Sequence, residues 1–317
     1  MREDVSADEL AELSGSIIQA GSKSFAAAAK IFNPEIRVSA YLLYAWCRYC
    51  DDVIDGQDLG YRDQQRLKND NFLELIKLRQ KTKDALAGKK TDDTMFVALQ
   101  KVSAKHSIPD TYPLALIDGF EMDVASRSYR SLDDTLVYCY HVAGTVGIMM
   151  AIVMGRRDYE TLDRANDLGL AFQLTNIARD VIEDAENGRV YLPAEWLEAE
   201  GIAADPISVS DINNRHGVAQ VVRRLLNEAD KYYLSSLAGL PKLGFRSAWA
   251  VATALIVYQS IGTKVLALGP RAWDKRVSTS KSEKILAIIV GLNKAIQAKL
   301  FGRFINYAGR ENLWIRP

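Results

Sequence analysis

Along this chain apolar residues recur at helical spacing, and the runs break at glycine or proline. The pattern predicts helices over about 6–19, 34–56, 61–86, 92–106, 110–125 and 133–154. It predicts more over 159–185, 194–200, 210–238, 241–268 and 281–306, with an alanine-rich helix ending near 31. Asn33-Pro34 reads as an N-cap followed by a first-turn proline. Gly56, Gly88 and Gly188 read as stops. No alternating strand pattern and no tandem repeat is visible. The expected architecture is all-α, one domain over residues 1–317. Residues 269–280, charged and rich in Ser/Thr toward their end, read as an exposed loop.

One helix departs from the ordinary pattern. Within 168–193, Gln173, Asn176, Asp180 and Asp184 fall in an arc of roughly 80° at 100° per residue. That polar stripe is framed by Leu170, Phe172, Leu174, Ile177, Val181 and Ile182. Two aspartates at i,i+4 repel by roughly 0.2–0.5 kcal/mol, and a divalent cation between them reverses the sign. Asp-x-x-x-Asp also occurs at Asp4/Asp8, Asp51/Asp55 and Asp163/Asp167. The first sits in a terminus prone to fraying. Asp167 is turned about 140° from Asp180, which assigns it to solvent and makes Asp167→Asn near neutral. Asp51/Asp55 has the better surroundings, since Tyr44, Arg48, Asp51 and Asp55 share one face. Two helices, each with a carboxylate pair and a polar approach, suggest one shared site; two solvated acidic faces are the plain alternative.

Composition narrows the chemistry. The chain has 317 residues, 48% hydrophobic, enough for a large core. Lys+Arg and Asp+Glu are both 40, so there is no basic footprint for nucleic acid. Residues 1–8 are acidic and unlike a signal peptide, and three cysteines make no disulfide framework. Both point to the cytoplasm. The uncharged runs 136–155 and 248–263 read as buried helices rather than membrane spans, with peripheral membrane contact left open. Cys47-x-x-Cys50 lacks the βαβ setting of a redox motif. His106, His141 and His216 are scattered, Ser22 and Ser24 have no nearby base, and no Walker loop exists.

Carboxylate and amide oxygens suit a hard cation such as Mg²⁺. Arg48, Arg179 and Arg189 suit phosphate oxygens, although Arg179 could pair with Glu183, and Arg48 with Asp51 or Asp52. The residues alone indicate a metal-dependent enzyme acting on a diphosphate ester with an apolar tail.

Residues 168–193, the run Tyr-Cys-Tyr-His-Val-Ala-Gly-Thr-Val-Gly over 138–147, the Asp51/Asp55 motif and Ser22-Lys-Ser-Phe25 together resemble the squalene/phytoene synthase family. The resemblance covers nearly the whole chain. Tyr-Ala-Trp-Cys-Arg-Tyr-Cys-Asp-Asp at 44–52 and Arg-Ala-Trp-Asp-Lys-Arg at 271–276 are most similar to its bacterial carotenoid-pathway members. It implies an isoprenoid synthase fold with helices around a central cavity, and Mg²⁺ or Mn²⁺ held by Asp51, Asp55, Asn176, Asp180 and Asp184. It implies diphosphate contacts from Ser22, Tyr44, Arg48, Gln173, Arg179, Tyr191, Tyr258 and Arg276, with Arg271 competing for the last role. Tyr138 matches a tyrosine implicated in proton handling or intermediate stabilisation. The implied reaction joins two geranylgeranyl diphosphates head to head, through a cyclopropyl diphosphate, into phytoene without NADPH. A squalene or dehydrosqualene synthase using farnesyl diphosphate is the rival reading, and a non-catalytic binding or assembly member another. The expected partners are a prenyl diphosphate, a membrane surface and downstream carotenoid enzymes.

Overall fold

The computed structural model describes residues 6–58, 61–62 and 71–317. Capping decides where the first helices begin. Ser6 and Glu9 form a reciprocal cap on α1 (Ala7–Gly21), and Ser22 caps α2 (Lys23–Ala29). Asn33 caps α3 (Pro34–Asp55), with Pro34 where no N–H is needed. Gly56 ends α3 in the left-handed conformation, φ 61°. Gln57–Asp58 (β1) and Tyr61–Arg62 (β2) then form a short antiparallel ladder. The sequence had placed Tyr61 inside a helix. The described helix there, α4, is Asn71–Leu86, and residues 63–70 of the expectation lie outside the described residues.

The chain continues through α5 (Thr94–His106), α6 (Thr111–Val124), α7 (Leu132–Cys139), α8 (Thr145–Val153) and α9 (Tyr159–Glu186). After these come α10 (Ala194–Ala199), α11 (Pro206–Ser210), α12 (Arg215–Ser236), α13 (Phe245–Leu268) and α14 (Lys281–Phe301). Short 3₁₀ turns at Ile212–Asn214 and Leu237–Lys242 delay α12 and α13 past their expected starts. The single helix expected over 133–154 is two, joined by a π-helical turn at Tyr140–Gly144. Close packing accompanies that irregularity. A Cβ at Gly144 would strike the Asn166 side chain, and one at Gly147 the Ala165 carbonyl, while Gly169 of α9 would strike Ala143. Only glycine allows the backbones so near.

Helix α9 is the axis of the core. Leu170, Ala171, Leu174, Ile177 and Ala178 are fully buried, and the helix packs against α8, α12 and α13. Helix α3 packs instead on α1 and α5 through residues such as the inaccessible Trp46. Burying such a side chain contributes about 1.5–3 kcal/mol.

One sequence expectation fails here and another holds only in part, for the same reason, later chain folding back onto α9. Residues 269–280 are a loop exposed at Arg271, Asp274, Lys275, Arg276, Ser278 and Ser280, but one pinned to the core rather than free in solvent. Ala272 and Val277 are buried, and the Trp273 indole donates to the Ala178 carbonyl at 3.1 Å. Asp167 is not in solvent either. It is completely buried and accepts from Arg310 at 2.8 and 3.0 Å and from the Ser235 hydroxyl at 2.5 Å. The segment after α14 returns along α9, and Arg316 pairs with Asp163 at 2.6 Å.

Candidate active site

Tyr44, Arg48, Asp51 and Asp55 line one face of α3, as their spacing requires. Arg48 forks between Asp51 at 3.0 Å and Asp52 at 2.6 Å. Burial, and then the neighbouring Asp55, push the Asp51 carboxyl up to about 7. Its side chain keeps 39% of its surface, so water screens part of that repulsion.

Helix α9 supplies the opposite wall. Asn176 donates its amide to Gln173 Oε1 at 3.3 Å, while its own Oδ1 is buried with no partner. Arg179 grips the adjacent Asp180, Nε to Oδ1 at 2.8 Å, rather than Glu183. Glu183 pairs instead with Arg276 at 3.2 Å, and Arg276 also reaches Asp180 at 3.1 Å. The arginine that the 269–280 segment brings to α9 is therefore Arg276, itself an exposed side chain. Burial, with Asp180 one turn away, raises Asp184 well above the usual carboxylate range.

The two walls are tied by one residue. Gly188, at φ 84°, turns the chain after α9, and Arg189 then reaches Asp55 on α3 at 2.6 Å. Asp184 also acts electrostatically on the Arg189 side.

A carboxylate the sequence reading missed lies beside them. Asp123, at the end of α6, accepts from Tyr191 at 2.7 Å and from Tyr138 at 3.1 Å. The two phenol rings stack with centroids 4.6 Å apart. Burial pushes the Asp123 carboxyl up to about 6, against the pull of Arg189 and both phenols. Burial raises Tyr138 and Tyr191 too, so each phenol is a donor rather than a base. In the sequence Asp123 is one of three carboxylates on α6, with Asp118 and Glu121, and nothing local marks it out from them.

On the other flank the wall is aromatic. Tyr258 stacks on Phe172 at 4.3 Å and on Phe25 at 5.2 Å, and Phe25 meets Tyr44 edge-on. Ser22, the cap of α2, accepts from the Phe25 N–H at 3.2 Å and lies beside Tyr258, whose phenol pKa burial raises. The Tyr44 hydroxyl lies against Gly21. The fifteen residues singled out from the sequence thus lie on α3, α7, α9, α13, the cap of α2 and the segments after α9 and α13, and Arg189, Arg276 and the aromatic stack join these elements. Two small voids elsewhere, between α12 and α13, carry none of them.

Among the described residues no three His, Cys, Asp or Glu side chains stand as a ready-made metal cluster. Arginines occupy the spaces, pairing Asp51, Asp55 and Asp180. The donor set nevertheless suits a hard cation. It is all oxygen, the Asn176 Oδ1 is orphaned one turn from Asp180, and Asp180 and Asp184 oppose each other's charge.

An all-α bundle with two aspartate-bearing helices joined by arginines and backed by an aromatic wall is the isoprenoid synthase class. The chain belongs to the squalene/phytoene synthase family, whose profile matches residues 18–283. It is 48% identical over 297 residues to a 15-cis-phytoene synthase of Pantoea ananas, covering 94% of each chain. To a phytoene synthase of Pseudescherichia vulneris it is 50% identical over 297 residues, again covering 94% of each. Among solved structures, a ligand-bound dehydrosqualene synthase superposes with TM-score 0.80 at 26% identity, over 90% of this chain and 96% of that one. A squalene synthase from Alicyclobacillus acidocaldarius, at 22% identity and TM-score 0.72, shares the fold over 84% of this chain and 96% of its own.

Proposed function

We propose that this protein is a phytoene synthase, condensing two geranylgeranyl diphosphates into phytoene in carotenoid biosynthesis. The observation that carries the reading is the meeting of the α3 and α9 carboxylates through Arg189, a cluster of carboxylates and arginines beside an aromatic wall. The near-50% identity to phytoene synthases over almost the full chain supports the longer donor.

In the first half-reaction the C1–O bond of one substrate breaks and diphosphate leaves with the electron pair. The other substrate's double bond attacks the allylic cation, and loss of a proton closes a cyclopropane. In the second, the cyclopropyl diphosphate ionises, rearranges and loses a proton to give phytoene. No hydride is consumed, so no NADPH is needed. Mg²⁺ or Mn²⁺, held by Asp51 and Asp55 on one side and Asn176, Asp180 and Asp184 on the other, would neutralise diphosphate as it leaves. Arg48, Arg179, Arg189 and Arg276 exchange their carboxylate partners for phosphate oxygens. Phe25, Phe172 and Tyr258 exclude water and face the cation. Tyr138, held by Asp123, orients the departing diphosphate or a water for the proton losses.

Incubation of the pure protein with geranylgeranyl diphosphate and Mg²⁺, followed by chromatography, should yield phytoene with or without NADPH. A reduced product appearing only with NADPH, or turnover of farnesyl diphosphate alone, would replace this reading with a squalene-type one. For location we propose the cytoplasm, with peripheral membrane contact. By length and composition three helical stretches could cross a membrane, but Leu132–Val153 and Phe245–Arg271 are half or more buried within the fold.

A further inference from the structure

The third such stretch, Lys281–Phe304, is only 22% buried. Helix α14 within it is amphipathic in an inverted sense. The side packed on α13 is made of small residues, Ala287, Gly291, Ala295 and Ala298. A Cβ on Gly291 would collide with Thr253, so the two helices lie in close backbone contact. The large apolar residues point the other way. Ile285, Ile289, Ile296 and Leu300 are 60, 60, 39 and 62% exposed. At 100° per residue they lie within about 60° of one another. Phe301 and Phe304, at the end of the helix, are also exposed, at 54 and 72%. Scattered exposed apolar residues are ordinary, but a contiguous stripe of this kind marks a surface that is covered in use.

Charge indicates what covers it. Residues 281–304 hold five cations, Lys281, Lys284, Lys294, Lys299 and Arg303, against one carboxylate, Glu283; Lys299 is turned back onto the Pro241 and Leu243 carbonyls, which leaves four. That carboxylate is already paired with Lys264 at 2.6 Å. The whole chain is balanced at 40 against 40, so the excess is local. Large aliphatic and aromatic side chains interleaved with cations on one helix match an anionic lipid interface. The packing against α13 keeps the helix flat on the protein instead of free to span.

We propose that the outward face of α14 seats the protein on an anionic lipid bilayer, with the helix lying in the interfacial plane. The choice of lipid over another apolar partner rests also on the reaction proposed above, whose product is a hydrocarbon that partitions into membrane.

Flotation of the full chain, without substrate, on sucrose gradients tests it. The protein should rise with vesicles containing equal phosphatidylglycerol and phosphatidylcholine, and at least about tenfold less should rise with phosphatidylcholine alone or in high salt. Ile289→Asp combined with Leu300→Asp should abolish flotation, with an unchanged thermal melt and unchanged turnover of detergent-dispersed substrate. Ile207→Asp, at an 84% exposed position on α11, should float as wild type. Charge reversal at Lys281 and Arg303 supplies a second variant that leaves the apolar stripe intact and should also weaken binding. Wild-type protein left at the bottom of the gradient would overturn the proposal, as would a double variant that still floats. So would light scattering showing a wild-type dimer that the double variant makes monomeric. The detergent assay reads the proposed reaction separately, so failure of one leaves the other standing.

Discussion

Tyr138 and Tyr191 both donate to Asp123, and this triad is where single-atom changes are most informative. Tyr138→Phe removes one donor and keeps the packing, so we expect product formation to fall more than substrate binding. The cyclopropyl diphosphate should accumulate on a chromatogram. Asp123→Asn should reduce turnover by about tenfold or more, because a hydrogen bond to a charged group is worth roughly 1.5–3 kcal/mol. Unchanged metal affinity in that variant would distinguish it from the aspartates of α3 and α9. For those, Asp51→Asn and Asp180→Asn should each strongly reduce turnover while circular dichroism stays native; a wild-type rate in either would make that residue a bystander. Asp167 is the opposite case. Spacing assigned it to solvent and made its Asn variant neutral, but it lies buried under Arg310. Asp167→Asn should therefore destabilise the protein by about 1–3 kcal/mol, because buried charge-assisted hydrogen bonds are lost while Arg310 keeps Asp163 at 3.0 Å. A melting temperature within a degree of wild type would return Asp167 to the solvent reading.

At the level of elements, the site depends on where α3 and α9 stop. Gly56 and Gly188 take left-handed conformations and release the chain just past each aspartate pair. The stop after α9 is what allows Arg189 to cross to Asp55. Helix α14 is fastened differently, by Ser280 and Glu283 in a reciprocal cap and by Glu283 to Lys264 at the end of α13. Lys264 and Ser280 pull the Glu283 carboxyl down to about 2. A lowered folded-state value means the contribution is present above the unfolded value of roughly 4.3 and is lost as pH falls toward 2. Glu283→Gln should thus cost roughly 0.5–1 kcal/mol at pH 7, the range for partly exposed pairs. Denaturation curves for the two proteins should converge by the acid end. A constant gap across that range would assign the effect to packing.

Across the whole molecule, the arginines that pair the aspartates set the order of events. With Arg48, Arg179 and Arg189 in place, a cation alone meets carboxylates that are already neutralised. We expect Mg²⁺ alone to change the melting temperature little and Mg²⁺ with inorganic diphosphate to raise it clearly. Saturation at a hundred times Kd corresponds to about 2.7 kcal/mol. Equal stabilisation by Mg²⁺ alone would show a preformed metal site. Turnover should need Mg²⁺ or Mn²⁺, with Ca²⁺ a poor substitute because it prefers a larger, looser shell; full activity after exhaustive chelation would refute this. Helix content, the starts at Asn33-Pro34 and the polar stripes of α3 and α9 were all determined by local sequence, because caps, glycine stops and 3.6-residue periodicity act within a few residues. The gathering of the sites was not local. Asp123, the burial of Asp167, the fold-back of Trp273 and Arg276, and the outward apolar face of α14 depend on which distant segments pack together. Periodicity shows that a helix has an apolar face, but a helix with small residues on one side and large ones on the other does not reveal which side is covered. Only the close approach of α13 at Gly291 decides it.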